Sequence, residues 1–375
     1  ADEFNPTLGI RQEDPISPYL FLLVAEGLSC LLKSIFQSSN LGGIKVATSA
    51  LPVNHLLFAD DSLLFFRANT EGAEEVSHLL ETYALASGQR INHAKSSIYF
   101  SKGVPDSLRL VVKNLLNVPN ETLNEKYLGL PSDIGSSKNG AFKYLKDRLW
   151  SKIQGWIENA LSSARKEVLV KSVAQAVPVF SMSCFKLPRG LCEHLNKLIR
   201  KFWWGCKDGK RKPHWVSWNE MTKPKGLGGL GFKDFELFNM AMLAKQAWRL
   251  VQQPASLCAR LLESIYYPGE QFLNSELGSH PSQVWRAITE GKDVLKQGLI
   301  RRIGNGQSTR IWTDNWIPRE EMMRPYGQLQ QSPLVYVAEL IDQTSASWDK
   351  QLVQATFLPM DAKCILGIPL CTKNI

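Results

Sequence analysis

The sequence has little that would cross-link a fold, hold zinc or cross a membrane. Its seven cysteines include no CxxC pair and no Cys/His spacing suited to zinc, which argues against a disulfide framework and a structural zinc site. No apolar run is expected to reach the length of a membrane span, and ADEFNPTLGI at the start lacks the basic and apolar regions of a signal peptide. These absences predict reduced cysteines, no membrane partner and an intracellular location, cytoplasmic or nuclear.

Length and charge say more than these absences. The 375 residues are 44% hydrophobic, which is enough for two or three domains with cores of their own. The 44 Lys and Arg outnumber the 35 Asp and Glu and give a formal net charge of +9. This excess favours a polyanionic partner without identifying one.

The N-terminal third alternates between helical and strand patterns. A helix is predicted to begin at the N-cap Ser17, with Pro18 at its first position. After a hairpin, a second helix is predicted between Thr70 as its cap and Gly88 as its end. RINHAKSSIYFS, within residues 87–101, then alternates like a strand. This order predicts an α+β fold, in which an antiparallel sheet carries helices on one face.

The hairpin contains two adjacent carboxylates. Two short apolar runs, residues 53–58 and 62–67, flank ADDS and predict a β-hairpin with Asp60 and Asp61 at its tip. Carboxylates in apolar surroundings need compensation, because an unpaired buried charge is costly. Hard oxygen ligands suit Mg²⁺, so the pair is a candidate cation site, and a two-metal site would need a third ligand. The alternative is that both are ordinary turn residues.

From Phe142 onward the sequence predicts three basic helices in succession. The first begins near Phe142, and the other two run over about 162–178 and 188–204. Four residues of the first helix would form its apolar face: Leu145, Leu149, Ile153 and Trp156. Beyond residue 226, short helices alternate with loops rich in Gly, Pro and Trp.

Basic and aromatic residues are concentrated in residues 197–223, which hold eight Lys or Arg and two acids. Phosphate contacts are predicted for seven cations: Lys197, Arg200, Lys201, Lys207, Lys210, Arg211 and Lys212. Four tryptophans either stack on bases or pack in the core, and the sequence leaves both open: Trp203, Trp204, Trp215 and Trp218. KGLGGLGF, residues 225–232, lacks the frame of a phosphate-binding loop and is predicted to be a flexible turn.

Several of these segments together resemble a known family. GIRQEDPISPYLF followed by FADDSLLF closely resembles the palm motifs of reverse transcriptases from plant LINE-type, non-LTR retrotransposons. SGQRINHAKSSIYFS resembles the next palm segment of that family, and KYLGLPSDIG resembles the segment that grips the primer strand. FWWG and RIWTDNWIP resemble parts of the stretch after the palm, so the likeness covers almost the whole chain.

The resemblance implies roles for particular residues. Asp60 and Asp61 would be catalytic ligands of Mg²⁺ or Mn²⁺. Lys95 would act on the leaving pyrophosphate, although an ordinary solvated lysine fits this position equally well. Five residues would line the nucleotide and template pocket: Arg11, Gln12, Asp14, Ser17 and Pro18. The implied partners are an RNA template, a DNA primer and deoxynucleoside triphosphates.

The resemblance also implies a domain organisation. Residues 1–132 would be a partial palm, 133–225 a basic helical thumb, and 226–375 a helical, Trp-rich connecting region. Glu13 stands where the family has glycine, so its bulk and negative charge are expected to impair nucleotide binding. The fingers and a third catalytic carboxylate are expected from a longer chain.

Three interpretations follow. The first is a fragment of an RNA-directed DNA polymerase that is inactive alone. The second is a catalytically inactive nucleic-acid-binding remnant of a retrotransposon. The third, which does not depend on the resemblance, is a basic RNA-binding helical protein whose acidic hairpin is purely structural.

Overall fold

The structure is a computed structural model, and it describes most of the chain. The described residues are 14–38, 41–121, 126–131, 138–157, 161–207, 210–211, 213–319, 322–327, 329, 333–342 and 345–370. The chain is 54% helical with small antiparallel sheets, which confirms the predicted α+β class. It divides into two compact units, Ala1–Gly291 and Lys292–Ile375. The predicted boundaries near residues 132 and 225 both lie within the first unit, and they stay predictions.

The helices and strands of the described residues are numbered in chain order. The helices are α1 Ser17–Ser38, α2 Thr70–Ser87, α3 Asp106–Leu115, α4 Lys138–Ala141, α5 Lys143–Ile157, α6 Ser163–Ser172, α7 Val179–Cys184, α8 Arg189–Trp204, α9 Trp218–Thr222, α10 Phe235–Gln252, α11 Leu257–Tyr266, α12 Gln283–Gly298, α13 Lys350–Thr356 and α14 Pro359–Leu366. The strands are β1 His55–Phe58, β2 Asp61–Leu64, β3 Lys126–Tyr127, β4 Leu130–Pro131, β5 Cys206–Lys207, β6 Lys210–Arg211, β7 Ile341–Asp342 and β8 Ser347–Trp348. The strands form four two-stranded antiparallel sheets, β1–β2, β3–β4, β5–β6 and β7–β8.

The first helix begins as predicted, displaced by one residue. Ser17 is the first residue of α1 and Pro18 the second, so Ser17 is not the N-cap. Ile16 holds the N-cap position, and Asp14 Oδ1 accepts a hydrogen bond of 3.0 Å from the Ile16 N–H in a turn just before the helix. A proline in the first turn removes no hydrogen bond, since those N–H groups have no partner within the helix.

The expectation that no segment is long and apolar enough to span a membrane is wrong for α1. Residues Ser17–Gln37 form a helix with a mean hydropathy of 1.7, and 17% of that apolar window is buried. Its charged residues are Glu26 and Lys33, which form an ion pair of 3.6 Å with each other. Core helices and signal sequences share this length and composition, so the helix by itself assigns no membrane role, and the predicted compartment stays a prediction.

The hairpin β1–β2 carries both helices on one of its faces, as predicted. Leu28 and Leu32 of α1 and Leu79 of α2 form a buried cluster. Leu57 of β1 and Leu64 of β2 pack against that cluster. Side chains alternate between the faces of a strand, so the neighbouring residues of both strands point away from the helices.

The second helix ends as predicted and begins with a different cap. Its N-cap is Asn69, not Thr70, because the Asn69 side chain accepts a 3.0 Å hydrogen bond from the Gly72 N–H. A Cβ at position 72 would lie 2.5 Å from Asn69 Oδ1, so this cap needs glycine there. Gly88 ends the helix with φ of 72°, the left-handed conformation typical of a C-terminal glycine.

The strand predicted for RINHAKSSIYFS, residues 90–101, is wrong. Asn92 accepts a hydrogen bond of 3.1 Å from the Lys95 N–H on its side-chain oxygen, and the chain turns there. One isolated bridge, Ser97 to Asn120, is the β-pairing within this segment. A local hydrogen bond from an Asn side chain competes with strand pairing, and it decides the conformation here.

The three predicted basic helices are present, and one is shorter than predicted. Leu145, Leu149 and Ile153 of α5 are buried, as their spacing indicated. The helix predicted over 162–178 ends at Ser172 and continues as a short 3-10 turn. Pro178 has no N–H to extend a helical ladder, so regular structure resumes in α7 after it.

The connection between α7 and α8 is fixed by one buried side chain. Asn239 of α10 is 2% exposed, and its Oδ1 accepts a 2.8 Å hydrogen bond from the Leu187 N–H. Its Nδ2 donates to the carbonyl oxygens of Met182 at 2.8 Å and Phe185 at 2.9 Å. The amide therefore satisfies backbone groups on both sides of the turn that leads into α8.

The second unit has a core of its own. Trp316, Val337 and Phe357 are among its fully buried residues. Asp361 of α14 is fully buried, pairs with Arg319 at 2.7 Å and accepts a 2.8 Å hydrogen bond from the Tyr326 N–H. A buried ion pair is stable only when both partners remain, because either alone is an uncompensated charge.

Candidate metal turn and nucleic-acid interface

The acidic hairpin is confirmed, with a tighter turn than predicted. Phe58 pairs with Asp61, so the connecting loop consists of Ala59 and Asp60, and Asp61 is the first residue of β2. Ala59 has φ of 49°, a left-handed conformation that is uncommon for a residue other than glycine. Strained residues of this kind persist where the surrounding structure holds them, and they are frequent at functional sites.

Both carboxylates are exposed, contrary to the expectation of apolar surroundings. Asp60 lies in the loop and Asp61 lies on the hairpin face opposite to Leu57. On that face Phe58 is 56% exposed, so the apolar residues beside the pair are not covered by α1 or α2. Neither carboxylate forms an ion pair with any described residue, which leaves both free to bind a cation.

The segment KYLGLPSDIG forms a second hairpin, of which residues 126–131 are described. Its loop residues Leu128 and Gly129 have φ of 51° and 76°, the pattern of a type I′ turn. Burial raises the pKa of Tyr127, and the negative charge of Asp61 raises it further. Tyr127 therefore lies within electrostatic range of Asp61, a relation that the sequence pattern did not reveal.

The acidic turn fits a divalent cation in part. Asp60 and Asp61 supply the hard oxygen donors that Mg²⁺ and Mn²⁺ prefer. In the part of the chain that the structure describes, no group of three or more His, Cys, Asp or Glu is arranged to hold a metal. The pair can contribute to a cation site, and the described residues do not complete a two-metal site.

The other residues that the resemblance assigns to the polymerase site have no contact with the acidic pair among the contacts of the described residues. Lys95 is exposed in the turn after Asn92 and forms no ion pair with a described residue. Ser17 and Pro18 are the first residues of α1, and Asp14 lies in the turn before it. Three further residues lie outside the described part of the chain: Arg11, Gln12 and Glu13.

The strained backbone of Ala59 predicts that two substitutions at this position differ in their effect on stability. We expect Ala59→Val to lower the free energy of unfolding by about 1–2 kcal/mol more than Ala59→Gly, because a β-branched residue is least tolerant of positive φ. Glycine adopts this conformation without strain, at some entropic cost in the unfolded chain. Urea unfolding of the two variants measures the difference, and equal stabilities would contradict the strain at this turn.

Cations and one tryptophan converge where α5 packs against α8. Lys201 of α8 places its Nζ 5.3 Å from the centre of the Trp150 ring of α5. Burial lowers the pKa of His194, and the positive charges of Lys146 and Lys197 lower it further, so both lysines lie within electrostatic range of His194. We call this surface the α5–α8 seam and define it by these five residues.

The seam is a cationic surface without internal neutralisation. Lys146, Lys197 and Lys201 form no ion pair with any described residue. Residues 133–225 contain 19 Lys and Arg against seven Asp and Glu, a net charge of +12, so the positive charge of the chain is concentrated around it. Amines on a helical surface beside an exposed aromatic ring are suited to phosphates and bases. The sequence identified Lys197 and Lys201 as phosphate contacts. It did not identify the other three members of the seam, which are Lys146 and Trp150 of α5 and His194 of α8.

The remaining predicted phosphate contacts divide into two groups. Arg200 is half-buried, with its guanidinium 5.7 Å from the centre of the Trp218 ring, so it packs against an aromatic side chain. The backbone of Lys207, Lys210 and Arg211 forms the hairpin β5–β6, in which Lys207 pairs with Lys210. Their side chains and the whole of Lys212 lie outside the described part.

The structure shows which of the four tryptophans pack against other residues and which is exposed. Trp218 is buried, and Trp203 packs edge-on against Phe232. Trp204 stacks on His214. Trp215 is 81% exposed, so it is the one whose ring is available to a ligand.

KGLGGLGF is a turn, as predicted. The N–H groups of Gly228, Gly229 and Gly231 all donate to backbone carbonyl oxygens within 3.2 Å, so none is available to a phosphate. A Cβ on Gly229 would lie 2.1 Å from the Lys223 carbonyl oxygen, and this close approach explains the glycine.

Comparison with known proteins gives partial matches. No protein-family profile matches the chain. The chain is 44% identical over 151 residues to the uncharacterized mitochondrial protein AtMg00310 of Arabidopsis thaliana, a match that covers 40% of this chain and 98% of that protein. It is 37% identical over 186 residues to the putative ribonuclease H protein At1g65750 of the same plant, covering 48% of this chain and 30% of that protein.

A more distant relative spans almost the whole chain. Over 383 aligned positions the chain is 23% identical to the transposon TX1 uncharacterized 149 kDa protein of Xenopus laevis, covering 92% of this chain and 27% of that protein. The chain thus spans less than a third of the transposon protein and of the putative ribonuclease H protein.

Proposed function

The chain is retroelement-related and belongs to the same family as the uncharacterized mitochondrial protein AtMg00310, and from this premise we propose that it is part of a reverse transcriptase. In this proposal it binds an RNA template and a DNA primer through the α5–α8 seam. The observation that carries the proposal is the seam itself, where Lys201 lies 5.3 Å from the centre of the Trp150 ring and Lys146, Lys197 and Lys201 form no ion pair with any described residue.

The acidic turn supports the polymerase part of the proposal. Asp60 and Asp61 would hold Mg²⁺ or Mn²⁺, and the cation would activate the attacking oxygen and stabilise the leaving group in nucleotidyl transfer. Asp61 would be positioned by the strained turn that precedes it. A further carboxylate, and the binding of deoxynucleoside triphosphates, would depend on a longer chain.

The proposal keeps the domain organisation that the resemblance implies. Residues 1–132 would be the partial palm, 133–225 the thumb that carries the seam, and 226–375 the connecting region. The mitochondrial location and the ribonuclease H named for two relatives are properties of those proteins, and neither is proposed for this chain.

A second candidate function is favoured by the same acidic turn. Among the described residues, Asp60 and Asp61 are not joined by a third metal-binding side chain. An inactive, nucleic-acid-binding remnant would retain such an incomplete pair. The two candidates share the seam and differ in whether Asp60 and Asp61 contribute to catalysis in a longer chain.

Primer extension with Mg²⁺ on an RNA template tests the proposal. We expect the chain alone to bind the template–primer duplex and add no nucleotide. Fusing the upstream fingers and palm segment of a related retroelement to the chain should restore extension, and Asp60→Asn in that fusion should abolish extension while leaving duplex binding intact. Glu81→Gln, an exposed acid on α2, is the matched control.

Two outcomes would contradict the polymerase proposal. A fusion that binds the duplex and extends nothing would support the inactive remnant. Extension that survives Asp60→Asn would show that the catalytic carboxylates lie elsewhere.

A further inference from the structure

His194 is the member of the α5–α8 seam whose charge changes within the neutral pH range. A histidine ordinarily titrates near pH 6.5, whereas a lysine keeps its proton to about pH 10. The His194 ring is half-buried, and within the described part of the chain neither of its nitrogens has a hydrogen-bond partner. The ring can therefore donate a hydrogen bond to a ligand that reaches the seam.

The helices α5 and α8 lie side by side and run in the same direction. Near their starts, the rings of Phe142 and Phe185 are 5.6 Å apart between centres. Near their ends, the rings of Trp156 and Phe202 are 5.4 Å apart. The middle of α5 therefore lies beside the middle of α8.

This arrangement brings three titratable side chains of the seam to the same level. His194 and Lys197 are three residues apart, so they share one face of α8. Lys146 lies one turn before Trp150 on α5, and Trp150 contacts Lys201 one turn beyond Lys197. Lys146 is therefore placed beside the part of α8 that carries His194 and Lys197.

Positive neighbours keep His194 neutral in the free protein. Burial lowers the pKa of His194, and the charges of Lys146 and Lys197 lower it further. Glu193, the acid beside it along the chain, is paired with Arg189 at 3.5 Å. A phosphate in the seam would neutralise the lysines and add a negative charge, which favours the charged imidazolium. The pKa of His194 should therefore rise when a polyanion binds.

We propose that His194 is a phosphate contact that forms only when the histidine takes up a proton, so that nucleic-acid binding at the seam is coupled to protonation. Because binding raises the affinity of His194 for its proton, protonation must raise the affinity for the ligand by the same factor. The complex is thus tighter at low pH, and at high pH the lysines bind the phosphates without the histidine. This inference rests on the proposed nucleic-acid binding, and it adds the regulation of that site by pH.

The affinity of the full chain for a template–primer duplex at two pH values tests the proposal. We expect the parent to bind about tenfold tighter at about pH 6 than at about pH 8, the effect of one charged hydrogen bond. The slope of log affinity against log salt should be steeper at the lower pH by about 0.9, which corresponds to one additional phosphate contact.

Three variants assign this pH dependence to one side chain. His194→Gln should bind the duplex with nearly the same affinity and salt slope at both pH values. His194→Lys carries a permanent charge, so at the higher pH it should bind as tightly as the parent does at the lower pH. The matched control is His280→Gln, which replaces an exposed histidine outside the seam and should keep the pH dependence of the parent.

Three results would overturn the inference. The parent could bind equally well at both pH values, His194→Gln could keep the pH dependence of the parent, or His194→Lys could bind no tighter than the parent at the higher pH. In each case the proposed function stands if substitutions of Lys197 and Lys201 still weaken binding. If the parent binds no template–primer duplex, both fail.

Discussion

Asn239→Ala is expected to lower the free energy of unfolding by about 3–5 kcal/mol, because the substitution leaves three buried backbone groups without a hydrogen-bond partner, each at a cost of roughly 1–3 kcal/mol. Those groups are the Leu187 N–H and the carbonyl oxygens of Met182 and Phe185. Alanine is too short to reach them, and the site is too enclosed for bulk water to replace the amide. Urea unfolding followed by circular dichroism measures the change.

Two further variants identify the cause of this loss. Asn239→Asp keeps an oxygen for the Leu187 N–H and loses both donated hydrogen bonds, so it should destabilise at least as strongly as alanine. Asn219→Ala removes an exposed asparagine of α9 and should change stability by less than about 0.5 kcal/mol, as surface substitutions usually do. A loss below about 1 kcal/mol for Asn239→Ala would contradict the role of the buried amide.

The destabilisation expected for Asn239→Ala should also affect nucleic-acid binding, because Asn239 anchors the turn that leads into α8. The backbone groups that Asn239 satisfies lie in the turn that leads into α8, and α8 supplies Lys197 and Lys201 to the seam. A chain that has lost this anchor should therefore lose nucleic-acid affinity by unfolding, without any change to the cations themselves. Binding assays on seam variants consequently need a stability measurement beside them.

The combined substitution Lys197→Gln and Lys201→Gln is expected to weaken nucleic-acid binding about 100-fold at low salt. Each lysine would contribute a charged hydrogen bond to a phosphate, and two such contacts at about 1.5 kcal/mol each give that factor. Both side chains are exposed, so their replacement should leave the fold intact. The equilibrium affinity for an RNA–DNA template–primer duplex measures the effect.

A control with the same change in net charge separates local contact from general attraction. Lys350→Gln with Lys363→Gln removes two exposed lysines from α13 and α14 in the second unit. Long-range attraction alone would make both double variants equally weak, since net charge acts over the whole surface. The seam predicts a large loss for the first pair and little for the second.

Local patterns in the sequence were sufficient to predict the hairpin β1–β2 and the helices α1, α2 and α8. These elements follow from short-range chemistry, such as two apolar runs around ADDS or Gly88 at a helix end. The strand predicted around Lys95 failed for an equally local reason, because the Asn92 side chain bonds the backbone in competition with strand pairing. The cap at Asn69 was missed because Thr70, its neighbour, is also a good N-cap residue.

The candidate site depended on tertiary packing, which a single sequence does not specify. Lys197 and Lys201 were identifiable from charge, whereas Trp150 joins them only because α5 packs beside α8. The exposure of Asp60 and Asp61 was misjudged because apolar neighbours such as Phe58 suggested burial, and that face of the hairpin is uncovered. Tyr127, whose pKa the charge of Asp61 raises, belongs to a second hairpin far along the chain.

The most direct test of nucleic-acid binding at the α5–α8 seam is the salt dependence of template–primer affinity in the parent and in the Lys197→Gln, Lys201→Gln variant. If both lysines contact phosphates, affinity should fall steeply with salt in the parent, and the slope of log affinity against log salt should be shallower by about 1.8 in the variant. A flat slope in the parent, or the same slope in both proteins, would contradict the assignment of nucleic-acid binding to the seam.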